Sequence, residues 1–416
     1  MAKFSLAKFP AGFFDVTQDI SGALPVDIID RWAKGPQSRD AARQLLQPSE
    51  VHGIVVSSDS AGLTRLSQAR GLLEILALID RPKQLIHAYG AALGGEPVGI
   101  WAADNTEMFY PPHIGADAVV STLLTVQDRV RAECEVQVGF GVHYGRFYRV
   151  GGGMYGTEAD RVELIAEEYT EGGEIVITAE VAAEFPSASG FALEPRQDLP
   201  PELGWNLRVT AGARRSDLTP AEGHYPIPYS HQFYADLLRF ANAPKDLQLA
   251  QQIHQAYGEE RAVVLIERER DETEMPEVAM LNDLALSLAV RKIGVGLLRD
   301  LGGKEIKTAG SIGIYTFGEC PAALAFAKRF RDVLLQDGIE SRTAIAFGEV
   351  LVFDLAEGVE DIAGGPVNIA SKLAQDVGTL GRIYVTEEAA RSARLGSDFH
   401  PVSFQISGVS IDAWMD

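Results

Sequence analysis

The chain has 416 residues, of which 46% are hydrophobic and 23% charged, a composition that excludes a disordered protein and predicts two or three domains at roughly 150 residues each. The formal net charge of −21 argues against nucleic acid or an anionic membrane as a partner, so a polyanionic substrate must come with cations. Only Cys134 and Cys320 are present, which excludes a disulfide framework or a cysteine metal site and fits a reducing cytoplasm.

The first 50 residues match nothing else in the chain and are interpreted as an extension of unassigned role. Their opening, MAKFSLAKFPAGFFDV, lacks a continuous apolar region and a small-residue cleavage site. The longest apolar run of the chain, GLLEILALI, is short and carries Glu74. We therefore expect no secretion signal, no membrane span and a cytoplasmic location.

Residues 51–215 predict a first domain in which strands and helices alternate. Runs rich in β-branched and apolar residues predict the strands, and apolar positions three and four residues apart predict the helices. In chain order these are the strand HGIVVSSD (52–59), the helix LTRLSQARGLLEILALI (63–79), the strand-turn-strand WAADNTEMFY (101–110), the helix ADAVVSTLLTVQDRV (116–130), the strand pair GVHYGRFYRV (141–150) and the strand GWNLRVTAG (204–212).

Residues 216–258 predict a linker with a helix. The stretch RRSDLTPAEGHYPIPYSHQ is punctuated by proline and glycine, which favours irregular structure. A helix-like run follows from residue 233 and contains Pro244, where we expect the helix to break.

Residues 259–416 predict a second domain that repeats the first. Three segment pairs recur in the same order at nearly constant spacing: 99–110 with 306–317, 141–150 with 344–353, and 172–185 with 380–393. Each half therefore predicts an α+β domain of ferredoxin-like type, with helices on one face of a mostly antiparallel sheet. We expect the two domains to pair about a pseudo-twofold axis within the chain.

Four motifs, VVSSDSAGLT, WAADN, GGPVNIASKL and GRIYVTEE, resemble the catalytic domain of class III adenylate/guanylate cyclases, present here as two degenerate copies in tandem. In that family two domains pair head to tail and bind the nucleotide at their interface. The resemblance implies conversion of ATP to cyclic AMP and pyrophosphate with two divalent cations, Mg²⁺ or Mn²⁺.

The first half carries the acids that the resemblance implies as metal ligands, Asp59 and Asp104. Two carboxylates at adjacent strand ends suit hard cations that prefer oxygen ligands. The alternative for each is an ordinary turn or helix-capping aspartate.

The second half carries the residues that the resemblance implies for recognition of adenine. Lys307 matches a lysine that donates to adenine N1, and Asp361 matches an aspartate that accepts from the adenine amino group. Guanine presents the opposite pattern, so the pair argues for ATP. The alternative is that both are surface residues retained from a cyclase ancestor.

The resemblance also implies a reaction-centre pair. Asn368 matches an asparagine that orients the ribose, and Lys372 takes the position, four residues later, of an arginine that stabilises charge on the reacting phosphorus. Loss of one such preorganised donor costs roughly 100- to 1000-fold in rate. Ser407 stands where a further basic residue is expected.

Each half lacks what the other has. In the first half, Ile100 and Gly153 stand at the positions of Lys307 and Asp361, and Asp160 and Leu164 at those of Asn368 and Lys372. In the second half, Ser311 stands at the position of Asp104. This pattern predicts one composite site and a catalytically dead opposite site. A catalytically weak or dead nucleotide-binding regulator and an interaction scaffold without nucleotide remain the alternatives.

Overall fold

The computed structural model describes residues 24–63, 66, 70–101, 104–187, 189–269, 275–356, 359–406 and 409–416. The chain divides into two compact units. The first domain is Leu46–Asp246, and the second is Leu247–Asp416 together with the described N-terminal residues 24–45. Residues 216–246, interpreted from sequence as linker, therefore lie within the first unit.

The first domain combines eight strands with five helices in its described residues. The strands are β1 (Glu50–Ser60), β2 (Glu96–Pro97), β3 (Thr106–Tyr110), β4 (Val138–Val150), β5 (Gly153–Tyr155), β6 (Ile175–Thr178), β7 (Ala192–Arg196) and β8 (Asn206–Ala211). The helices, numbered after the two N-terminal helices α1 (Val26–Lys34) and α2 (Arg39–Leu46), are α3 (Leu72–Leu93), α4 (Ala116–Glu133), α5 (Thr157–Glu168), α6 (Ala179–Ala183) and α7 (His231–Asn242).

The second domain repeats this order. Its strands are β9 (Gly258–Arg268), β10 (Lys304–Ala309), β11 (Ile312–Phe317), β12 (Ser341–Ala356), β13 (Val359–Ala363), β14 (Ile383–Thr386), β15 (His400–Ile406) and β16 (Val409–Met415). Its helices are α8 (Leu247–Tyr257), α9 (Pro276–Leu301), α10 (Cys320–Gln336), α11 (Gly365–Ser371), which continues as the π-helical turn Lys372–Asp376, and α12 (Glu387–Ala393).

Both sheets have the same topology. The first runs β2-β3-β1-β4-β6-β8-β7 with β5 beside β4, and the second runs β10-β11-β9-β12-β14-β16-β15 with β13 beside β12. In each sheet one neighbouring pair is parallel, β4 with β6 and β12 with β14, and the others are antiparallel. The prediction of two α+β domains built alike is confirmed.

The pairing registers confirm the repeat residue by residue. Val142 faces Val56 in the first domain, and its counterpart Ile345 faces Val264 in the second. Three residues further along β1 and β9, Asp59 therefore corresponds to Glu267. At the other end of the repeated strand, Val150 faces Gly153 and Phe353 faces Asp361, so Gly153 and Asp361 also correspond.

Each sheet is covered on both faces. In the first domain, Ile54 and Val56 pack with α3 and α4, whereas Val55 packs on the opposite face with Val162 of α5. In the second domain, α11 covers the corresponding face through Ala370. The prediction of helices on one face is wrong, and the reason is visible in the strand: consecutive buried residues indicate a strand covered on both sides.

The N-terminal helices pack on the second domain. The indole N–H of Trp32 in α1 donates to the side-chain oxygen of Asn282 in α9 at 2.9 Å, and Arg43 of α2 pairs with Glu277 at 3.0 Å. The helix break expected at Pro244 is confirmed, because α7 ends at Asn242 and α8 begins at Leu247. None of the helices in the described ranges is long and apolar enough to cross a membrane.

Candidate functional site

The two acids predicted as metal ligands lie at one end of the first-domain sheet. β1 and β3 are antiparallel, and Ser58 faces Thr106 where β1 ends and β3 begins. The hydroxyl oxygens of these two residues are 2.6 Å apart. Asp59 follows Ser58 and Asp104 precedes β3 by two residues, so their carboxyls meet, joined by a side-chain hydrogen bond.

The proximity of these carboxyls alters their acidity. Burial, together with the negative charge of Asp104, raises the pKa of Asp59 to about 8. Burial also raises the pKa of Asp104, against the lowering effects of Lys83 and of the hydrogen bond with Asp59. Two half-buried carboxyls that share a hydrogen bond cannot both ionise at low cost unless a cation lies between them.

The donor set fits a hard divalent cation that is completed by substrate. In the described part of the chain, no group of three or more histidine, cysteine, aspartate and glutamate side chains could hold a metal ion. Mg²⁺ and Mn²⁺ suit a site with one or two protein carboxylates, because they retain waters and take further oxygens from phosphates. Asp59 and Asp104 are the residues that would hold them.

A further acid, Glu167, lies near the pair, and a cluster continues from it through Glu163 to Glu107; the sequence analysis missed this cluster. Burial, with the charge of Glu163, raises the pKa of Glu107 to about 8 and that of Glu167 to about 7. The side-chain amide of Asn105 donates to Glu167. The sequence signal was the acidic composition of TEMFY and ELIAEE, but the folding of β3 next to α5 was needed to bring these groups together.

A buried lysine lies near the acidic pair and was also missed. Lys83 of α3 has a side chain that is almost fully buried, and its Nζ donates to the backbone carbonyl of Trp101 at 3.0 Å. Burial lowers the pKa of Lys83 to about 8, whereas Asp104 and Asp80 act to raise it. The sequence does not single it out, because α3 carries three further charged residues, Glu74, Asp80 and Arg81.

The two predicted base-recognition residues meet in the second domain. Lys307 of β10 donates from Nζ to Asp361 of β13, at 3.1 Å to Oδ1 and 3.2 Å to Oδ2. The Lys307 side chain is 40% exposed and that of Asp361 13%. Asp361 Oδ1 also accepts from the Ile362 N–H at 2.8 Å. A donor and an acceptor thus stand side by side, within reach of a ligand.

Asn368 and Lys372 lie on consecutive turns of one helix. The backbone N–H of Lys372 donates to the carbonyl of Asn368, so the two residues share a face, as their spacing predicted. Asn368 is exposed. The Lys372 ammonium is 3.8 Å from Asp376 in the π-helical turn. Ser407, expected to be a basic residue in the family pattern, lies outside the described residues.

The corresponding positions of the second domain are built differently from the acidic pair. Glu267, the counterpart of Asp59, pairs with Arg342 at 2.6 Å. Ser311, the counterpart of Asp104, is buried. Next to them, the buried Arg268 guanidinium donates to Asp283 at 2.8 Å and to the Gly310 carbonyl at 3.1 Å. Arg342 and Arg268 thus place guanidinium groups at this end of the second sheet, and the two described residues at the positions of Asp59 and Asp104 form no comparable acidic pair.

The first domain in turn lacks the base-recognition pair. Ile100, the counterpart of Lys307, is 63% exposed, and Leu164, the counterpart of Lys372, is 38% exposed. Gly153 replaces Asp361 and offers no side-chain acceptor. The six predicted residues therefore lie in three pairs, the carboxyl pair in the first domain and the pairs Lys307–Asp361 and Asn368–Lys372 in the second.

Solved structures similar to this chain are class III cyclases and a cyclase-like protein. A class III adenylyl cyclase-like ATP-binding protein from Pseudomonas aeruginosa is 11% identical and matches over 82% of this chain and 85% of its own, with a TM-score of 0.49. The adenylyl cyclase CyaB from P. aeruginosa is 19% identical over 38% of this chain and 93% of its own, with a TM-score of 0.31. The guanylate cyclase domain of RhGC from Catenaria anguillulae, solved with GTP, is 14% identical over 38% and 95%, with a TM-score of 0.32. Neither a family model nor a curated protein matches the sequence.

Proposed function

We propose that this chain binds ATP with two divalent cations at one composite site and acts as a class III adenylate cyclase, forming cyclic AMP and pyrophosphate. One observation carries the proposal, namely the complementary distribution of the polar groups. The first domain has the carboxyl pair Asp59 and Asp104, the second has the pair Lys307 and Asp361, and neither has both. Independent loss of function in two repeats would not favour such complementarity.

The choice of adenine follows from the Lys307–Asp361 pair. Adenine presents an acceptor, N1, beside a donor, the amino group, and the pair offers a donor beside an acceptor. The two side chains are already 3.1 Å apart, so their spacing is set before a ligand arrives. Guanine would face donor with donor and acceptor with acceptor, which leaves polar groups unpaired.

In the proposed reaction, the ribose 3′-oxygen forms a bond to the α-phosphorus. The bond from that phosphorus to the bridging oxygen breaks, pyrophosphate leaves, and the hydroxyl proton is lost. Asn368 orients the ribose, and the Lys372 ammonium neutralises negative charge that develops on the α-phosphate. Divalent cations, when bound at Asp59 and Asp104, supply neutralisation of the triphosphate and acidify the 3′-hydroxyl.

The second candidate is a nucleotide-binding regulator with little or no turnover. The observation that favours it is Lys372, which pairs with Asp376 at 3.8 Å and takes the place of an arginine in the family pattern. An ammonium provides the charge without the planar, two-pronged donor. Binding of ATP survives this change more readily than acceleration of the reaction does.

The test uses the purified full chain with ATP and MnCl₂, with cyclic AMP measured by mass spectrometry and ATP binding by calorimetry. The control is the near-isosteric double variant Asp59→Asn, Asp104→Asn. Cyclic AMP from the parent and none from the control supports the cyclase. Metal-dependent ATP binding without product supports the regulator. Absence of both binding and product overturns both candidates and leaves an interaction scaffold.

A further inference from the structure

The segment of residues 221–234, here named the strap, packs on the part of the first domain that carries Asp104. The amide of Ala221 donates to the carbonyl of Ala88 in α3 at 2.9 Å. Tyr225 is 2% exposed and Tyr229 8%. The strap therefore packs in the domain through buried aromatic rings, which also include Phe233 and Tyr234, although its composition is typical of irregular linkers.

The strap contacts Trp101, which lies three residues before Asp104. The Trp101 and Tyr225 rings are stacked, with centroids 5.6 Å apart and an interplanar angle of 14°. The backbone N–H of Trp101 donates to the carbonyl of Pro226 at 3.0 Å. Both the side chain and the backbone of Trp101 are thus fixed by the strap.

Helix α3 also contacts Trp101 and Tyr225. Lys83 donates to the Trp101 carbonyl at 3.0 Å and lies 5.4 Å from the centre of the Tyr225 ring. The Tyr225 hydroxyl donates to Asp80 at 2.8 Å. The Tyr225 ring therefore covers the buried lysine and its hydroxyl holds Asp80, so removal of this side chain removes contacts to Trp101, Lys83 and Asp80.

Asp104 lies between two anchors as a result. On its N-terminal side is Trp101, held by the strap and by α3. On its C-terminal side is Thr106, held to Ser58 of β1 through their hydroxyls at 2.6 Å. In the second domain, the corresponding turn is held by side chains of β9 and α9, since Arg268 and Ser287 both donate to the Gly310 carbonyl. The first domain uses the strap for one of its anchors.

We propose that Tyr225 of the strap is a positioning residue for Asp104, so that seating of the strap sets the affinity of the first domain for divalent cations. This inference rests on the proposed function for the identity of Asp104 as a metal ligand. A metal ligand must be held within a fraction of an ångström to bind well, and residues behind the ligands commonly contribute 10- to 100-fold to metal affinity.

The test compares three full-length variants with the parent by calorimetric titration with MnCl₂ alone. Tyr225→Leu removes the stacked ring and the hydroxyl, and Tyr225→Phe removes only the hydroxyl. Tyr229→Leu is the matched control, because Tyr229 is a buried tyrosine of the same strap whose ring contacts Phe233 and Tyr234. We expect Tyr225→Leu to weaken Mn²⁺ binding about tenfold or more, Tyr225→Phe to weaken it less, and Tyr229→Leu to retain parental affinity.

Adenosine affinity without metal provides the second readout and should be unchanged in all three variants. A merely structural role predicts that Tyr225→Leu and Tyr229→Leu lower Mn²⁺ affinity equally, and that result would overturn the inference. Unchanged Mn²⁺ affinity in Tyr225→Leu would also overturn it. The proposed metal site fails separately, if Asp59→Asn and Asp104→Asn leave Mn²⁺ binding intact.

Should Tyr225→Leu not fold, the unmodified protein still tests the inference. Coupling between two sites is reciprocal, so a strap that favours metal binding must itself be stabilised by bound metal. Amide hydrogen exchange of a peptide covering residues 221–230 is measured with and without Mg²⁺. Slower exchange with Mg²⁺ supports the inference, and identical exchange despite saturating Mg²⁺ contradicts it.

Discussion

At the scale of single residues, the acidic pair makes cation binding depend on pH. Asp59 has a pKa of about 8 in the folded chain against 3.8 in the unfolded chain. Because its folded pKa is raised, its contribution to stability is fully present below about pH 4 and is lost as the pH rises towards 8. Near neutral pH the cation-free pair therefore holds a proton.

A divalent cation must displace that proton. We expect Mn²⁺ affinity to rise between about pH 6 and pH 8, by up to about tenfold per pH unit, with release of about one proton at pH 7. Calorimetry in two buffers of different ionisation enthalpy measures this release directly. Asp59→Asn should abolish it, and a parental affinity that is flat from pH 6 to pH 8 would contradict the assignment.

The Lys307–Asp361 pair allows base preference to be inverted without loss of the ion pair. The exchange Lys307→Glu with Asp361→Lys keeps opposite charges on β10 and β13 but reverses donor and acceptor. We expect the ratio of ATP to GTP affinity, measured with Mn²⁺, to fall by at least about tenfold, because each mismatched edge leaves polar groups unpaired. An unchanged ratio would show that the base is recognised elsewhere.

At the scale of elements, helix α11 determines where the side chain of residue 372 lies relative to Asn368. Lys372 follows Asn368 by one turn, and the helix continues as a π-helical turn from Lys372 to Asp376. Lys372→Arg should raise turnover by about tenfold, which is roughly 1.4 kcal/mol, with little change in ATP affinity, because the added N–H contact strengthens as charge develops. Steady-state rates and calorimetry measure the two quantities. No gain in turnover would favour the regulator, and loss of ATP binding would make Lys372 a ground-state ligand.

The turn before β11 depends on Arg268 for its stability. This arginine has a 1% exposed side chain and also donates to the Ser287 hydroxyl at 3.0 Å. Arg268→Ala should destabilise the second domain by at least about 2 kcal/mol, because it removes a buried charge together with its hydrogen bonds to Asp283, Ser287 and the Gly310 carbonyl. Arg391→Ala removes an exposed helix pair with Glu387 and should change stability by less than about 1 kcal/mol. Urea unfolding compares the two, and equal effects would contradict the expectation.

The elements show which parts of this protein can be predicted from sequence. Strands such as GVHYGRFYRV recur in the second half of the sequence in the same order. The presence of two similar domains and the correspondence of Asp361 with Gly153 were therefore predictable. The packing of α5 against Val55 could not be predicted, because a continuous apolar strand does not indicate which element covers its second face. The burial of Tyr225 in the first domain could not be predicted either, since prolines and glycines indicate irregular structure but not where that structure packs.

The proximity of the two acids was predictable for a related reason, whereas the position of the buried lysine was not. Asp59 and Asp104 stand at the ends of paired strands, so pairing alone brings them together. Lys83 reaches Trp101 through a helix face that only tertiary packing defines. Because α3 carries three further charged residues, the sequence identifies neither the burial of Lys83 nor its partner.

At the scale of the whole molecule, a net charge of −21 opposes binding of a triphosphate unless cations accompany it. The proposed composite site would bind ATP more tightly than either half of ATP, because a ligand bound by one half holds its other half at a high effective concentration. Each half of ATP can then be tested alone. Adenosine reports on Lys307 and Asp361, and pyrophosphate with Mn²⁺ reports on Asp59 and Asp104.

We expect one ATP to bind per chain with Mn²⁺, at least about 100-fold more tightly than either fragment. Lys307→Ala should weaken adenosine but leave Mn²⁺-pyrophosphate binding intact, and Asp104→Asn should do the reverse. In each variant ATP affinity should fall to that of the remaining fragment, because the second contact is lost. Calorimetry gives both affinity and stoichiometry. Two ATP equivalents per chain, or ATP bound no more tightly than its better fragment, would mean that the two groups serve separate sites, and the composite site would have to be abandoned.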